Sequence, residues 1–155
     1  MNTPVYILLL SIACASAQTN SVSQNQTTNE TPRTFVSRFL EDQKLGKGNA
    51  NDYTDKAVIK HYAGMGAGAR QGIFNFFNLA EYRLIGQGLW VSAAQWNKGS
   101  TNIVIFARLK VGSEEGGAPV WKDKLVSIKR EGTNLAIMYV GEDTYNVPMI
   151  DKFKD

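Results

Sequence analysis

The chain is poor in the residues that bind transition metals and form disulfides. Its 155 residues include one cysteine, Cys14, and one histidine, His61. A single thiol cannot form an internal disulfide, and a single imidazole cannot build a multi-histidine metal site. Because Cys14 lies in an N-terminal segment that we expect to be removed, thiol catalysis, cysteine-based zinc binding and redox exchange are excluded for the mature chain. We expect neither a metal nor a cofactor.

The N-terminal apolar run, residues 5–10, is too short to cross a bilayer, which requires about 20 apolar residues. The sequence Ala15-Ser16-Ala17 follows it and is a small-x-small cleavage pattern. Residues 1–17 are therefore predicted to be a secretory signal peptide, so that the protein is extracellular or periplasmic and has no membrane anchor after cleavage. A lipoprotein attached through Cys14 is the alternative, disfavoured because Ser11 stands where a lipobox has leucine.

Residues 18–32 contain almost nothing that could be buried, since glutamine, asparagine, threonine and serine dominate the segment. This composition predicts a disordered polar linker. It contains two glycosylation sequons, at Asn25 and Asn29, which would be modified in a eukaryotic source. The remaining residues, 33–155, are predicted to form a single domain, because the 43% hydrophobic content suits one globular core.

Concentrated positive charge is also missing. The net charge is +3, from 17 basic and 14 acidic residues, and the lysines do not gather into one sequence patch. Nucleic-acid binding proteins present a clustered basic face or stripe. Together with the predicted secretion, this argues against a nucleic-acid partner.

Helical patterns come first along the chain. Thr34–Leu45 shows apolar residues at helical spacing, with Thr34 as the predicted cap. A second helix is predicted to begin at Asn51 or Asp52 and to run through Ile59. A third, from Ala69 to about Leu79, presents a broad phenylalanine-rich face.

Strand patterns follow from residue 82, separated by short polar or glycine-rich turns. They cover residues 82–96, 102–111, 120–129 and 135–140. Helices followed by a meander of strands predict an α+β fold, with the helices packed on one face of a curved antiparallel sheet.

The glycine-rich segment His61–Gly72 raises the question of nucleotide binding. Its glycines, at positions 64, 66, 68 and 72, are not spaced as in a dinucleotide-binding loop, and no βαβ unit surrounds them. The sequence Gly68-Ala69-Arg70 is not the Gly-Lys-Ser/Thr of a phosphate-binding loop. We interpret the segment as a turn between helices.

Several short motifs occur in the order and spacing of a known family: Ile59–Tyr62, Gly68–Phe77, Ile85–Val91, Ile128–Val140 and Val147–Pro148. They resemble the SnoaL-like (polyketide cyclase type) branch of the nuclear transport factor 2-like (NTF2-like) superfamily. The resemblance covers about Phe35 to Pro148. It implies a cystatin-like cone, an α+β barrel in which a curved sheet wraps around a long helix with a ligand pocket in its mouth. It also implies a possible homodimer through the open sheet face.

The chain departs from that family at the positions that carry acid–base chemistry. Met138 and Val140 align with a histidine and a catalytic aspartate, and Val126 aligns with another polar position. The central-strand histidines fall near Ala93 and Gln95. Because these side chains cannot abstract a carbon-bound proton, the resemblance implies that the cyclase chemistry is lost.

Three hypotheses remain open. The first is a domain that binds a small apolar ligand, with seven candidate residues: Tyr62, Trp90, Gln95, Val126, Met138, Tyr139 and Val140. The second is an isomerase, cyclase or hydrolase that works through His61, with Asp123 or Tyr62. The third is a protein-interaction module like the cystatins, whose Q-x-V-x-G hairpin the chain lacks.

One structural expectation connects these hypotheses. Ala136, Met138 and Val140 alternate along the last predicted strand, so they share one face. The resemblance places that face inside the cone, opposite Gln95 and Val126. We therefore expect an apolar cavity with one or two polar groups at its rim and without a buried carboxylate.

Overall fold

The first helix, α1, spans Pro32–Lys44 and begins two residues earlier than predicted. Thr31 is its cap and accepts a hydrogen bond from the amide of Thr34 at 3.1 Å. Pro32 fits the first helical position because it has no amide hydrogen and its φ is already helical. The predicted cap at Thr34 is therefore wrong. The apolar face is as expected, since the phenylalanines and aliphatic side chains from Phe35 to Leu40 are buried.

The predicted second helix is two helices. A 3-10 turn spans Ala50–Tyr53 and is capped by Asn49, and the helix α2 spans Lys56–Ala63 and is capped by Asp55. The break lies at Thr54, which is extended and forms a bridge with Ile137. The sequence alone does not show this break, because it is imposed by a residue more than 80 positions away.

This computed structural model describes residues 30–47, 49–65, 78–92, 98–112, 116–142 and 147–154. Within these ranges, five strands follow the helices: β1 Leu79–Val91, β2 Thr101–Val111, β3 Val120–Glu131, β4 Asn134–Glu142 and β5 Met149–Lys152. They form one antiparallel sheet in the order β4-β3-β2-β1-β5, which is not closed. The α+β prediction is confirmed. No helix within these ranges is long and apolar enough to cross a membrane.

The sheet has two differently buried faces because side chains alternate along each strand. The main core contains the apolar side chains of α1 and those of the strand face beneath it, including Ile105, Leu109 and Val126. A smaller cluster on the opposite face contains Val104, Phe106, Leu125 and Val147, with three half-buried neighbours, Ile85, Trp90 and Tyr139. The helices therefore cover one sheet face, as predicted. We call it the helix side and the other the outer side.

β5 was not predicted from the sequence, and two glycines explain where it binds. It pairs with β1 at Gly86, Gln87 and Gly88. A Cβ atom on Gly86 would collide with the carbonyl oxygen of Asp151, and one on Gly88 with that of Pro148. The missing side chains therefore let β5 lie close against β1.

The folded part of the chain includes residues that we assigned to the linker. The side chain of Glu30 is only 7% exposed and pairs with Arg38 on α1 at 2.9 Å. The structured region thus reaches at least to Glu30. The predicted signal peptide, Asn25 and Asn29 lie outside the described residues, as does almost all of the predicted third helix.

Candidate ligand-binding site

Three of the residues expected to line a ligand cavity are packed in the core. Val126, Met138 and Val140 belong to the helix-side cluster and are 0%, 2% and 7% exposed. They share the face beneath the helices, where the described residues around them are apolar core side chains.

Ala136 does not share that face, which corrects the expected alternation. Ser127 pairs with Tyr139 and Ile128 pairs with Ile137, so β4 has one extra residue, Met138, between the two pairs. This bulge brings Ile137 and Met138 to the same side, and Ala136 is only half-buried. The bulge therefore interrupts the alternation of side chains between the two faces along β4.

Trp90 and Tyr139, also predicted ligand residues, meet on the outer side. Their ring centroids are 5.9 Å apart, and both pack against the smaller cluster. They are therefore separated by the sheet from Val126 and Val140. The structure divides the predicted ligand residues between the two faces, and Gln95 and Ala93 lie outside the described residues.

His61 and Tyr62 lie in the last turn of α2. Both are half-buried, and their rings meet edge to face at a centroid distance of 5.1 Å. Tyr62 packs against the helix-side core, and burial raises the pKa of its phenol. A raised pKa keeps this hydroxyl protonated at neutral pH.

Asp123 is on the outer side of the sheet, since it precedes the buried outer-side residue Leu125 by two positions. It forms a two-point ion pair with Arg108, at 2.6 and 2.9 Å. The hydrogen bond from Arg108 lowers the pKa of Asp123, and its positive charge adds to the effect. The proposed pairing of Asp123 with His61 is therefore not formed, because α2 packs on the helix side and Asp123 lies on the other.

A pocket of about 360 Å³ opens beside this ion pair, where β1, β2, β3 and β5 come together. Six of its lining residues are apolar: Leu84, Ile85, Phe106, Ala107, Met149 and Phe153. Five are charged: Arg83, Arg108, Asp123, Lys124 and Lys152. The pocket thus combines an apolar lining with four cations and one carboxylate.

The cations of this pocket differ in how far they are neutralised. Arg108 is paired with Asp123, and the Nζ atom of Lys124 lies 3.3 Å from a carboxylate oxygen of Glu142. Arg83 lies 3.4 Å from Glu81, and its guanidinium stands 5.3 Å from the ring centroid of Trp121. Within the part of the chain that the structure describes, Lys152 has no ion-pair partner.

A second, more open depression of about 410 Å³ adjoins the first along β1. It shares Arg83 and Leu84 with the pocket and adds three hydroxyl groups, those of Thr34, Ser37 and Tyr82. The ring of Phe153, which lines the pocket, lies beneath the guanidinium of Arg33 at 4.4 Å. This contact attaches the end of β5 to α1.

Sequence reasoning missed this pocket because its lining comes from four strands that are distant in the chain. Arg108 and Asp123 are brought together by the β2–β3 register, and Lys152 by the unpredicted β5. Among the described residues, no group of three metal-ligating side chains is present. No protein-family model, curated protein or solved structure matches the chain. The SnoaL-like resemblance therefore stays a prediction.

Proposed function

We propose that this protein is a secreted ligand-binding domain with an NTF2-like fold, which binds a small, largely apolar molecule without transforming it. The pocket of about 360 Å³ between β1, β2, β3 and β5 carries this proposal. Its volume lies in the range of roughly 300–1,000 Å³ that is common for small-molecule sites. Its lining combines six apolar residues with five charged ones, so it offers a ligand both apolar surface and charge. We therefore expect the ligand to bind in this pocket, beside the core and not inside it.

The fold and the sequence pattern support the other parts of the proposal. Helices packed on one face of an antiparallel sheet agree with the helix-and-sheet arrangement of NTF2-like proteins. The apolar run and small-x-small pattern of residues 1–17 support secretion.

The lowered pKa of Asp123, the one carboxylate that lines the pocket, favours binding over catalysis. General base catalysis needs a group whose pKa lies near the working pH. The pKa of Asp123 is shifted the other way, downwards, by its hydrogen bond with Arg108. His61 and Tyr62 are not among the residues that line the pocket. The enzymatic hypothesis therefore lacks an acid–base pair there.

The proposal is tested by titrating the purified protein with Nile red, a neutral apolar dye whose fluorescence rises on binding. We expect saturable binding to a single site below millimolar concentration. Met149 lines the pocket, so Met149→Trp should fill it and weaken binding by roughly tenfold, as expected when an apolar ligand is displaced from its contacts.

A matched control is available in another exposed methionine. Met65 is 57% exposed, lies outside the pocket and follows α2, so Met65→Trp should leave the dye affinity unchanged. The absence of binding below millimolar concentration would overturn the proposal. An equal loss of affinity in both variants would place the site elsewhere and would equally contradict it.

A further inference from the structure

On the basis of the proposed function, we infer that the natural ligand of this pocket is an amphipathic monoanion. Its anionic group would bind the cations Arg83 and Lys152, and its apolar part would lie on the aromatic and aliphatic lining. A medium-chain carboxylate is the simplest molecule of this class. The inference depends on which charges in the pocket remain uncompensated.

Some of the cations that line the pocket already have a carboxylate partner. Arg108 is neutralised by Asp123 within the pocket, and Lys124 is paired with Glu142, which does not line it. Lys152 has no such partner in the described ranges. Lys152 therefore remains available to an anion, and Arg83 becomes available where an anion displaces its contact with Glu81.

Arg83 has one competing carboxylate. Its Nη2 atom lies 3.4 Å from Glu81, which is half-exposed and does not line the pocket. Exposed ion pairs of this length contribute about 0–1 kcal/mol, so a ligand carboxylate can compete with Glu81. A guanidinium also offers parallel donors that match the two oxygens of a carboxylate.

Lys152 is held at the pocket by the backbone of β5. It lies opposite Gly86 in the β1–β5 pairing, and the amide of Phe153 donates to the carbonyl of Ile85 at 2.9 Å. These contacts hold the end of β5 at the pocket. Lys152 is thus placed by backbone pairing, although its side chain is exposed.

A simple inorganic anion would bind this pocket only weakly. Because solvent screens exposed cations, Arg83 and Lys152 alone would bind an ion weakly. The additional binding energy must come from apolar surface, which Ile85, Phe106 and Met149 supply in the same pocket. The ligand must therefore contain both an anionic group and an apolar chain.

The experiment compares three probes by isothermal titration calorimetry: decanoate, decanol and inorganic phosphate. We expect decanoate to bind roughly tenfold more tightly than decanol at low salt, since charge-assisted hydrogen bonds are stronger than neutral ones. Phosphate should show no binding at millimolar concentration. Raising the salt concentration should reduce the preference for decanoate.

Two variants assign the preference to particular residues. Lys152→Gln should lower the ratio of decanoate to decanol affinity by roughly three- to tenfold. Lys122→Gln is the matched control, because it removes the same charge from an exposed lysine of β3 that does not line the pocket. Asp123→Asn should raise the ratio, since it leaves Arg108 without its carboxylate partner.

The outcomes separate the two proposals. Equal affinity for decanoate and decanol would overturn the anionic ligand while leaving the ligand-binding function in place. Binding of neither probe, together with no binding of Nile red, would contradict the function itself. Binding to phosphatidylglycerol vesicles without binding of decanoate would overturn the inference in favour of a lipid surface.

Discussion

Arg108 and Asp123 face each other across β2 and β3, with the Nε and Nη2 atoms of the arginine 2.6 and 2.9 Å from the two carboxylate oxygens. The hydrogen bond keeps the pKa of Asp123 below its ordinary value. A lowered folded-state pKa contributes stability above the unfolded-state pKa of about 3.9, and that stability is lost as pH falls through the lower folded value.

The first prediction follows from the downward shift in the pKa of Asp123. Asp123→Asn should destabilise the protein slightly at pH 7, because both partners are more than half exposed and solvent screens the pair. Measured as urea denaturation midpoints, the difference from wild type should begin to shrink near pH 4 and vanish only once the pH falls below the lowered folded-state pKa of Asp123. Asp151→Asn, at an exposed aspartate without an ion pair in the described ranges, is the control. A difference that grows on acidification would contradict the prediction.

Glu30 provides a more buried ion pair. Its two carboxylate oxygens accept from Arg38 at 3.0 and 2.9 Å, and the same guanidinium lies 5.0 Å from the ring centroid of Tyr53. Glu30→Gln should lower the free energy of unfolding by about 1–3 kcal/mol, since a charged hydrogen bond to a mostly covered group is lost. The control is Glu41→Gln, whose carboxylate is exposed and 3.9 Å from Lys44. Equal effects of both substitutions would show that burial of Glu30 is unimportant.

The close approach of β5 to β1 gives a third prediction. Gly86→Ala would push a methyl group against the carbonyl of Asp151 and the sulfur of Met149, at a cost of about 1–3 kcal/mol. β5 should loosen, which faster hydrogen exchange at the Phe153 amide would report. Gly64→Ala should be tolerated, because the nearest atom to its Cβ would be the His61 carbonyl oxygen at 3.6 Å. Unchanged exchange in the Gly86 variant would argue against the docking of β5.

Two buried hydroxyls make a matched pair for a fourth prediction. Ser127 is fully buried and its hydroxyl has no hydrogen-bond partner among the described residues, whereas the hydroxyl of Thr54 donates to the carbonyl of Ala50 at 2.8 Å. Ser127→Ala should therefore be neutral or stabilise the protein by up to about 1 kcal/mol, and Thr54→Val should destabilise it by about 1 kcal/mol. Thermal unfolding of both variants tests this. A clear loss of stability in Ser127→Ala would reveal a hydrogen bond to solvent.

The strands that could be predicted are those with a local signal. β2 ends at Val111 and β3 begins at Val120, on either side of the predicted glycine-rich loop, because alternating apolar residues and turn residues both mark this boundary. β5 has no such signal. All four of its residues are exposed, and its position depends on contact with Gly86 and Gly88.

The pocket could be predicted from the sequence less well than the fold. Its cations belong to different strands, and only the pairing of β1 with β5 brings Lys152 to the strand that carries Arg83. The resemblance directed attention to Val126 and Val140 instead, and close packing made these residues part of the core. The position of a residue in a sequence motif does not show whether space remains beside its side chain in the folded chain.

The last prediction tests the loss of the catalytic carboxylate that the resemblance implies. Val140 is 7% exposed and belongs to the apolar helix-side cluster, so Val140→Asp would bury a carboxylate among apolar side chains. The substitution should cost several kcal/mol at pH 7 and less at acidic pH, where the new carboxyl group is protonated. Val91→Asp introduces the same charge at a valine that is 61% exposed, and it should be nearly neutral in urea denaturation. Equal stability of the two variants would show that Val140 is not in a packed core. Turnover gained by Val140→Asp would instead restore the cyclase hypothesis, because it would mean that only the missing carboxylate separates this domain from an enzyme.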